Sequence, residues 1–240
     1  MHDVSKHVEV FKPSWVTGNI GIIGVGSIGS ALAINIAKLG LTNRVILFDP
    51  DVVEAHNISN QFLYGVGDIG KWKVDAAYDS IELLTDDDCT KNRETRIRVS
   101  KRSDITSLGI RYLFVCVDSM RERKSIFQNC VWMNPQLAYF SEARMNAREG
   151  SVYSFNPLDL TKAEEYTTNH LYEDDEVPRI SGGCSITQSI GATAMTLACQ
   201  MTWNFMDYLS GDETRKPPEE IALRVPNLTV YAKGELTPSE

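Results

Sequence analysis

Gly24, Gly26 and Gly29 stand in a Gly-x-Gly-x-x-Gly run, and Asp49, Asp51, Asn57, Gln61 and Lys73 follow within the same segment. Such a run at a strand-to-helix turn serves phosphate chemistry. The first glycine allows the tight turn, the second lets the backbone approach phosphate oxygens, and the third lets helix and strand pack closely. The helix that begins at Ser27 contributes its free N–H groups and the positive end of its dipole. Asp49, about 20 residues past the last glycine, is placed to accept hydrogen bonds from ribose hydroxyls. On these residues alone the ligand is a dinucleotide or ATP.

The elements that must hold these residues are legible in the apolar pattern. Residues 20–23 form a short apolar run that predicts a buried strand, and residues 27–39 carry helical character with Gly40 placed to end it. A second strand is expected over 44–48, ending at Asp49. Val74, Ala77, Ile81 and Leu84 recur at helical spacing, and 95–99 alternates as a short strand does. The continuous apolar run 112–117 suits a parallel strand covered on both faces, and it delivers Asp118 at its carboxyl end. A helix over 122–133 and strands over 137–140 and 151–155 complete the order. The polar, acidic segment 156–180 reads as a long surface loop, followed by a final long helix over 185–208 capped by Ser185. Strand-like pieces at 221–225 and 228–232 end the chain. The fold class expected is therefore α/β: one domain over 1–240, a Rossmann-like, mainly parallel twisted sheet flanked by helices, with a C-terminal antiparallel extension. Its ligand would lie beyond the carboxyl ends of the strands.

Composition narrows the function classes. A formal net charge of -8 over 240 residues argues against a nucleic-acid binder, because such a surface repels phosphate. Cys89, Cys116, Cys130, Cys184 and Cys199 are odd in number and lack Cys-x-x-Cys spacing, so neither a disulfide framework nor structural zinc is expected, and a reducing, cytoplasmic setting follows. Cys116 and Cys199 are expected in the core. His56 and His170 have no partner at metal-ligand spacing. The first fifteen residues lack an apolar leader core, and the most apolar stretch, 186–199, is interrupted by Thr187, Gln188, Ser189 and Thr193, so no membrane association is expected.

The residues after Asp49 go further. Asp49-Pro50-Asp51, then Asn57 and Gln61, then Gly70-Lys71-Trp72-Lys73 resemble the ThiF/MoeB/HesA superfamily, which includes the nucleotide-binding domain of ubiquitin-activating enzymes. The strand ending in Asp118 with Arg123 beyond it, and the stretch from Glu142-Ala143-Arg144 to Gly150-Ser151-Val152, extend the resemblance over most of the chain. The resemblance implies adenylation: ATP with its phosphates near Gly26, Ser27 and Gly29, Asp49 on the ribose, Asn57 and Lys73 facing the triphosphate, and Asp118 holding Mg²⁺. The adenylyl acceptor it implies is the C-terminal carboxylate of a small ubiquitin-like or sulfur-carrier protein, and the assembly it implies is a homodimer. Cys184, beside the expected start of the last helix, is the position for a nucleophilic cysteine, as in several relatives.

Plainer roles fit the same residues. Asp49 and Asp118 are suited to capping helices, Asn57 and Gln61 to bonding their own turn, and Lys73 to an exposed first helical turn. Two positions also depart from the family. The arginine it places before the glutamine is Asn60 here, with Lys71 or Arg123 as substitute cations, and the N-terminal Arg-Gln segment has no counterpart in residues 1–18. Three readings remain: an adenylyltransferase, a weakened ATP-binding partner subunit, and a nicotinamide-dependent oxidoreductase.

Overall fold

The computed structural model describes residues 3–86, 95–172, 190–225 and 229–233. Its centre is a seven-stranded sheet in the order β2-β1-β3-β4-β5-β6-β7. β1 (Asn19–Ile23), β2 (Val45–Phe48), β3 (Ile110–Val115) and β4 (Tyr139–Met145) run parallel. β5 (Glu149–Phe155), β6 (Glu220–Arg224) and β7 (Thr229–Lys233) extend the sheet in antiparallel fashion. This is the expected class, a parallel nucleotide-binding half joined to an antiparallel extension.

Period-two alternation sends each strand into two cores. Along β3, Tyr112 and Phe114 enter one apolar cluster with Ile20, Ile22 and Leu47, while Leu113 and Val115 enter the other with Ile23 and Phe48. The first cluster lies under α1 (Ser27–Ile36), α2 (Lys73–Thr85) and α6 (Gly191–Ser210). The second is covered by α3 (Arg102–Thr106), α4 (Met120–Ile126) and α5 (Leu160–His170). Three layers result, and both faces of the parallel strands are dry.

Helix ends follow local chemistry. α1 passes into a wider π-type turn over Ala37–Leu41, where Gly40 takes the left-handed conformation at φ 81°, as its position suggested. α6 stops at Gly211, φ 65°. Its expected start at 185 and the cap Ser185 lie outside the described residues, as does Cys184. α4 begins at Met120 rather than 122, because the Ser119 side chain accepts a hydrogen bond from Glu122 N.

Three expectations are corrected. The segment 156–180 is not all loop: Leu160–His170 is helical, with the Asp159 carboxylate accepting from Lys162 N at 3.3 Å. Only Ala163 and Tyr166 of that helix are buried, so its apolar period is thin. Residues 95–99 form no strand. Thr95 and Val99 are buried, as alternation implied, yet the segment crosses the rim with Thr95 O accepting from Asp49 N. Cys199 is exposed on α6 rather than in the core, while Cys116 is half-buried. No described helix is long and apolar enough to cross a membrane.

Candidate nucleotide site

The glycine turn joins β1 to α1 over the end of β3. Gly24 N donates to Phe48 O and Cys116 N to Ile23 O, so three strand ends meet there. Gly24 has φ 86°, and a Cβ on it would lie 2.9 Å from the Cys116 carbonyl. At Gly29 a Cβ would lie 1.9 Å from Gly24 O, so helix and turn touch backbone to backbone. Gly26 is different: nothing lies within 4 Å of a Cβ there. It precedes an α1 whose first turn has no side-chain cap, so the N–H groups from Ser27 onward face the cleft, the geometry an anion requires.

Asp49 closes this turn from below. Its Oδ2 accepts from Val25 N at 2.7 Å and its Oδ1 from Asp51 N at 2.9 Å, with only 5% of the residue exposed. Burial pushes its carboxyl above the ordinary 3.8, against the lowering pull of Lys73 and of the two N–H groups. Tyr64, which carries no sequence signal, donates its hydroxyl to Val25 O at 2.7 Å and braces the same turn.

The chain from Asp51 to Lys73 folds back on itself. An antiparallel bridge pairs Val52 with Trp72, Val53 N donates to Lys71 O, and Lys73 N donates to Asp51 O. Lys73 therefore returns to the strand ends at the first turn of α2. Its Nζ lies 3.2 Å from Asp51 Oδ2 and 4.0 Å from Asp49 Oδ1, and the residue is 8% exposed. The exposed-lysine alternative does not describe this position. Between these ends, Asn57 Oδ1 accepts from Glu54 N at 2.8 Å, leaving its NH2 group for a ligand oxygen. Phe62 N donates to Ser30 Oγ and ties the segment to α1. Gln61 faces the cleft, and its buried Oε1 has no hydrogen-bond partner among the described residues.

A cleft of about 1670 Å³ runs along the strand ends. Its nucleotide half is lined by Gly24, Gly26, Ser27, Asp49, Asp51, Asn57, Asn60, Gln61, Lys73 and Asp118, so nearly all sequence-predicted positions converge. Gly29 lies behind this wall, where it serves packing. Asp118 is exposed at the rim beyond β3. Arg123 is buried: its Nε lies 2.6 Å from Glu142 Oε1, and its terminal nitrogens donate to Asp118 O and Val117 O. Its charge is thus committed to Glu142. Lys71 bonds Asp68 at 2.8 Å and does not line the cleft, while Arg123 lines it with its guanidinium paired to Glu142. Sequence reasoning missed Arg98 and Glu122, paired at 3.2 Å on the cleft wall, and Glu142 with Arg144, discussed below.

The donor set fits a nucleoside triphosphate. An uncapped helix start, an open Gly26, one buried ammonium group and an unsatisfied Gln61 acceptor match phosphates, backbone approach and a hydroxyl or amino donor. For Mg²⁺, Asp118, with Asp51 in the same cleft, would offer the hard oxygen ligands the ion prefers. No described group of three or more His, Cys, Asp or Glu side chains is arranged to hold a metal, so the phosphates would complete the coordination.

The ThiF family profile matches residues 13–232, almost the whole chain. The chain belongs to the ThiF family. Among ThiF-related proteins, it is 27% identical over 113 residues to the tRNA threonylcarbamoyladenosine dehydratase of Haemophilus influenzae, covering 47% of this chain and 42% of that one. It is 30% identical over 84 residues to the probable adenylyltransferase/sulfurtransferase MoeZ of Mycobacterium tuberculosis, covering 35% of this chain and 21% of that one. The chain thus matches less than half the length of these curated relatives. Among solved structures, PaaA superposes with a TM-score of 0.63 at 22% identity over 90% of this chain and 64% of that one. E. coli MccB, solved with MccA-N7isoASN, gives 0.69 at 15% identity over the same shares. These structures show that the ThiF fold is shared.

The glycines invite a paired test. Gly29→Ala is expected to destabilise by about 1–3 kcal/mol, the usual cost of overpacking, since the new methyl would meet the Gly24 backbone carbonyl, which cannot swing aside as a side chain can. Gly26→Ala should stay within about 0.5 kcal/mol of wild type while weakening ATP binding, because its methyl enters the cleft. Thermal unfolding with and without ATP checks both. A Gly26→Ala protein stabilised by ATP as fully as wild type would contradict the assignment of this turn.

Proposed function

We propose that this chain is an ATP-dependent adenylyltransferase that activates the carboxylate of a small ubiquitin-like or sulfur-carrier protein, or of a peptide. The observation that carries this is the return of Lys73 to the strand ends beside Asp49 and Asp51, in the same cleft as the glycine turn and Asp118. In a nicotinamide site the acid after the second strand stands without such a lysine, whereas phosphoryl chemistry needs a fixed cation. The names of relatives support the reading: MoeZ is a probable adenylyltransferase, and MccB is solved both with ATP and with MccA.

In the reaction, the acceptor carboxylate oxygen attacks the α-phosphorus, a C–O–P bond forms, and the bond to the β-phosphate breaks with release of pyrophosphate. The α1 N-terminus and Gly26 hold the phosphates, Asn57 donates to a phosphate oxygen, and Lys73 meets the charge that builds on the leaving group. Asp49, whose carboxylate already accepts two N–H groups, fixes the turn and presents its remaining lone pairs to the ribose. Asp118 with Asp51 would hold Mg²⁺, which would supply charge neutralisation on the phosphates. The reaction asks little else of the side chains, so proximity supplies much of the rate. A homodimer in the cytoplasm belongs to the same proposal.

Asn60 favours a second reading, a weakened subunit that borrows its arginine from a partner. Exchange of labelled pyrophosphate into ATP, with purified protein and a panel of carriers ending in Gly-Gly, separates the two. Carrier-dependent exchange is the expected result. ATP binding without exchange for any carrier would overturn the enzyme reading in favour of the second.

A further inference from the structure

The far half of the cleft, over β5 to β7, is walled by Arg144, Tyr153, Tyr172, Arg224 and Tyr231. Arg144 belongs to a buried cluster whose charges do not balance. Glu142, fully buried on β4, is a single carboxylate shared by two guanidinium groups. Its Oε1 lies 2.6 Å from Arg123 Nε, and its Oε2 accepts from an Arg144 terminal nitrogen at 2.7 Å and from the Tyr166 hydroxyl at 2.7 Å. Among the described residues of the cluster, one positive charge is left over. Of the described acids at this end, Glu149 pairs with Arg224 at 3.4 Å and Glu220 lies 3.7 Å from His170.

Both guanidinium groups line the cleft; Arg123, its side chain 9% exposed, turns its terminal nitrogens to the Val117 and Asp118 carbonyls, and Arg144, its side chain 14% exposed, is the more exposed of the two. Of its five N–H donors, Nε and one terminal hydrogen serve Glu142, another serves Tyr166, and one serves His170 O at 2.6 Å. One N–H has no partner among the described residues. The guanidinium is held by ring faces, 4.9 Å from the Tyr153 centroid and 5.8 Å from those of Tyr166 and Tyr172, so it is fixed in place before any ligand arrives. A preorganised, partly desolvated cation with a spare donor is suited to a carboxylate. In register, β4 pairs Glu142 with Val115 at the end of β3, so Arg144 stands one strand from the rim that carries Asp118.

We infer that Arg144 binds an acidic side chain of the acceptor segment, making this family member selective for an acidic protein or peptide substrate. The inference rests on the adenylation reading for the identity of the acceptor, but not for the carboxylate site itself. The test titrates wild-type protein at low salt with N-acetylated, C-amidated tetraglutamate and tetraglutamine peptides, so that side-chain charge is the main difference between them. Tetraglutamate is expected to bind about tenfold more tightly, equal to about 1.4 kcal/mol. The preference should vanish in Arg144→Met and shrink in Arg144→Lys, which keeps a charge beside Glu142 but loses the planar fork. Arg224→Met should retain it. Equal affinity for the two peptides, no binding of either, or an unchanged preference in both Arg144 variants would overturn the inference. ATP titrated into the same wild-type sample separates the two levels: glutamate preference without ATP binding would sink the adenylation reading and leave the Arg144 site standing.

Discussion

Lys73→Ala is expected to lower pyrophosphate exchange by about 10³ or more while the protein remains folded. Among the described residues its ammonium group is the cation paired with the acids beneath the glycine turn, at 3.2 Å from Asp51 and 4.0 Å from Asp49. A unit charge about 4 Å from a phosphoryl charge, at an effective dielectric near 20, is worth about 4 kcal/mol. That corresponds to about a thousandfold in rate if the contact is made in the transition state. Its removal also leaves Asp49 and Asp51 facing the triphosphate without compensation, and like charges there oppose binding. Fold is preserved because Asp49 keeps its bonds from Val25 N and Asp51 N. Exchange measured beside thermal unfolding checks this. Undiminished exchange would return Lys73 to a structural partner of Asp51.

Glu142→Gln is expected to cost about 3–5 kcal/mol, the range for breaking a buried ion pair from one side. The change leaves Arg123 and Arg144 buried together with no carboxylate between them. It should also change the pH profile. The two arginines and Tyr166 hold the Glu142 carboxyl below its ordinary 4.5 despite burial, which opposes ionisation. Its contribution is therefore complete above about pH 4.5 and is lost as the pH falls through the folded value. Asp49 has the opposite sign: raised by burial above 3.8, it withdraws stability as the pH rises from 3.8 through its folded value. The difference between wild type and Glu142→Gln largely cancels Asp49 and the surface acids. That difference should be large and flat above pH 4.5 and shrink below it. A difference independent of pH down to about 3 would mean that Glu142 is not the ionised hub of the cluster. Tyr166→Phe, which removes one neutral donor, should cost less, about 1–3 kcal/mol.

The nucleotide half was legible because its signals are local. β1, the glycine turn, β2 and Asp49 lie within one short stretch, and the run from Tyr112 to Val115 is buried on both faces, so hydrophobicity alone located β3. The remaining features are not local. Glu142 meets Arg123 and Tyr166 from different elements, and nothing in the spacing of these residues announces that β4, α4 and α5 converge. α5 was hidden because two buried side chains, Ala163 and Tyr166, hold it down against nine polar or exposed neighbours. The segment 95–99 alternated correctly but found no strand to pair with, because Arg96 is tied to Asp75 and stacks on Trp72 instead. Arg123 was readable as a cation near the site, but its commitment to Glu142 and to two carbonyls required the fold.

With that commitment and Asn60 in the same cleft, the proposed triphosphate site leans on Lys73, the ammonium group beside Asp49 and Asp51. On the proposed function, the glycine turn and the acids behind it hold ATP rather than a nicotinamide dinucleotide. Calorimetric titration of the purified chain with ATP and Mg²⁺, repeated with NADH, tests it most directly. Saturable ATP binding that Lys73→Ala weakens at least tenfold is expected, with NADH bound far more weakly. NADH binding tighter than ATP, or ATP binding indifferent to Lys73, would contradict it.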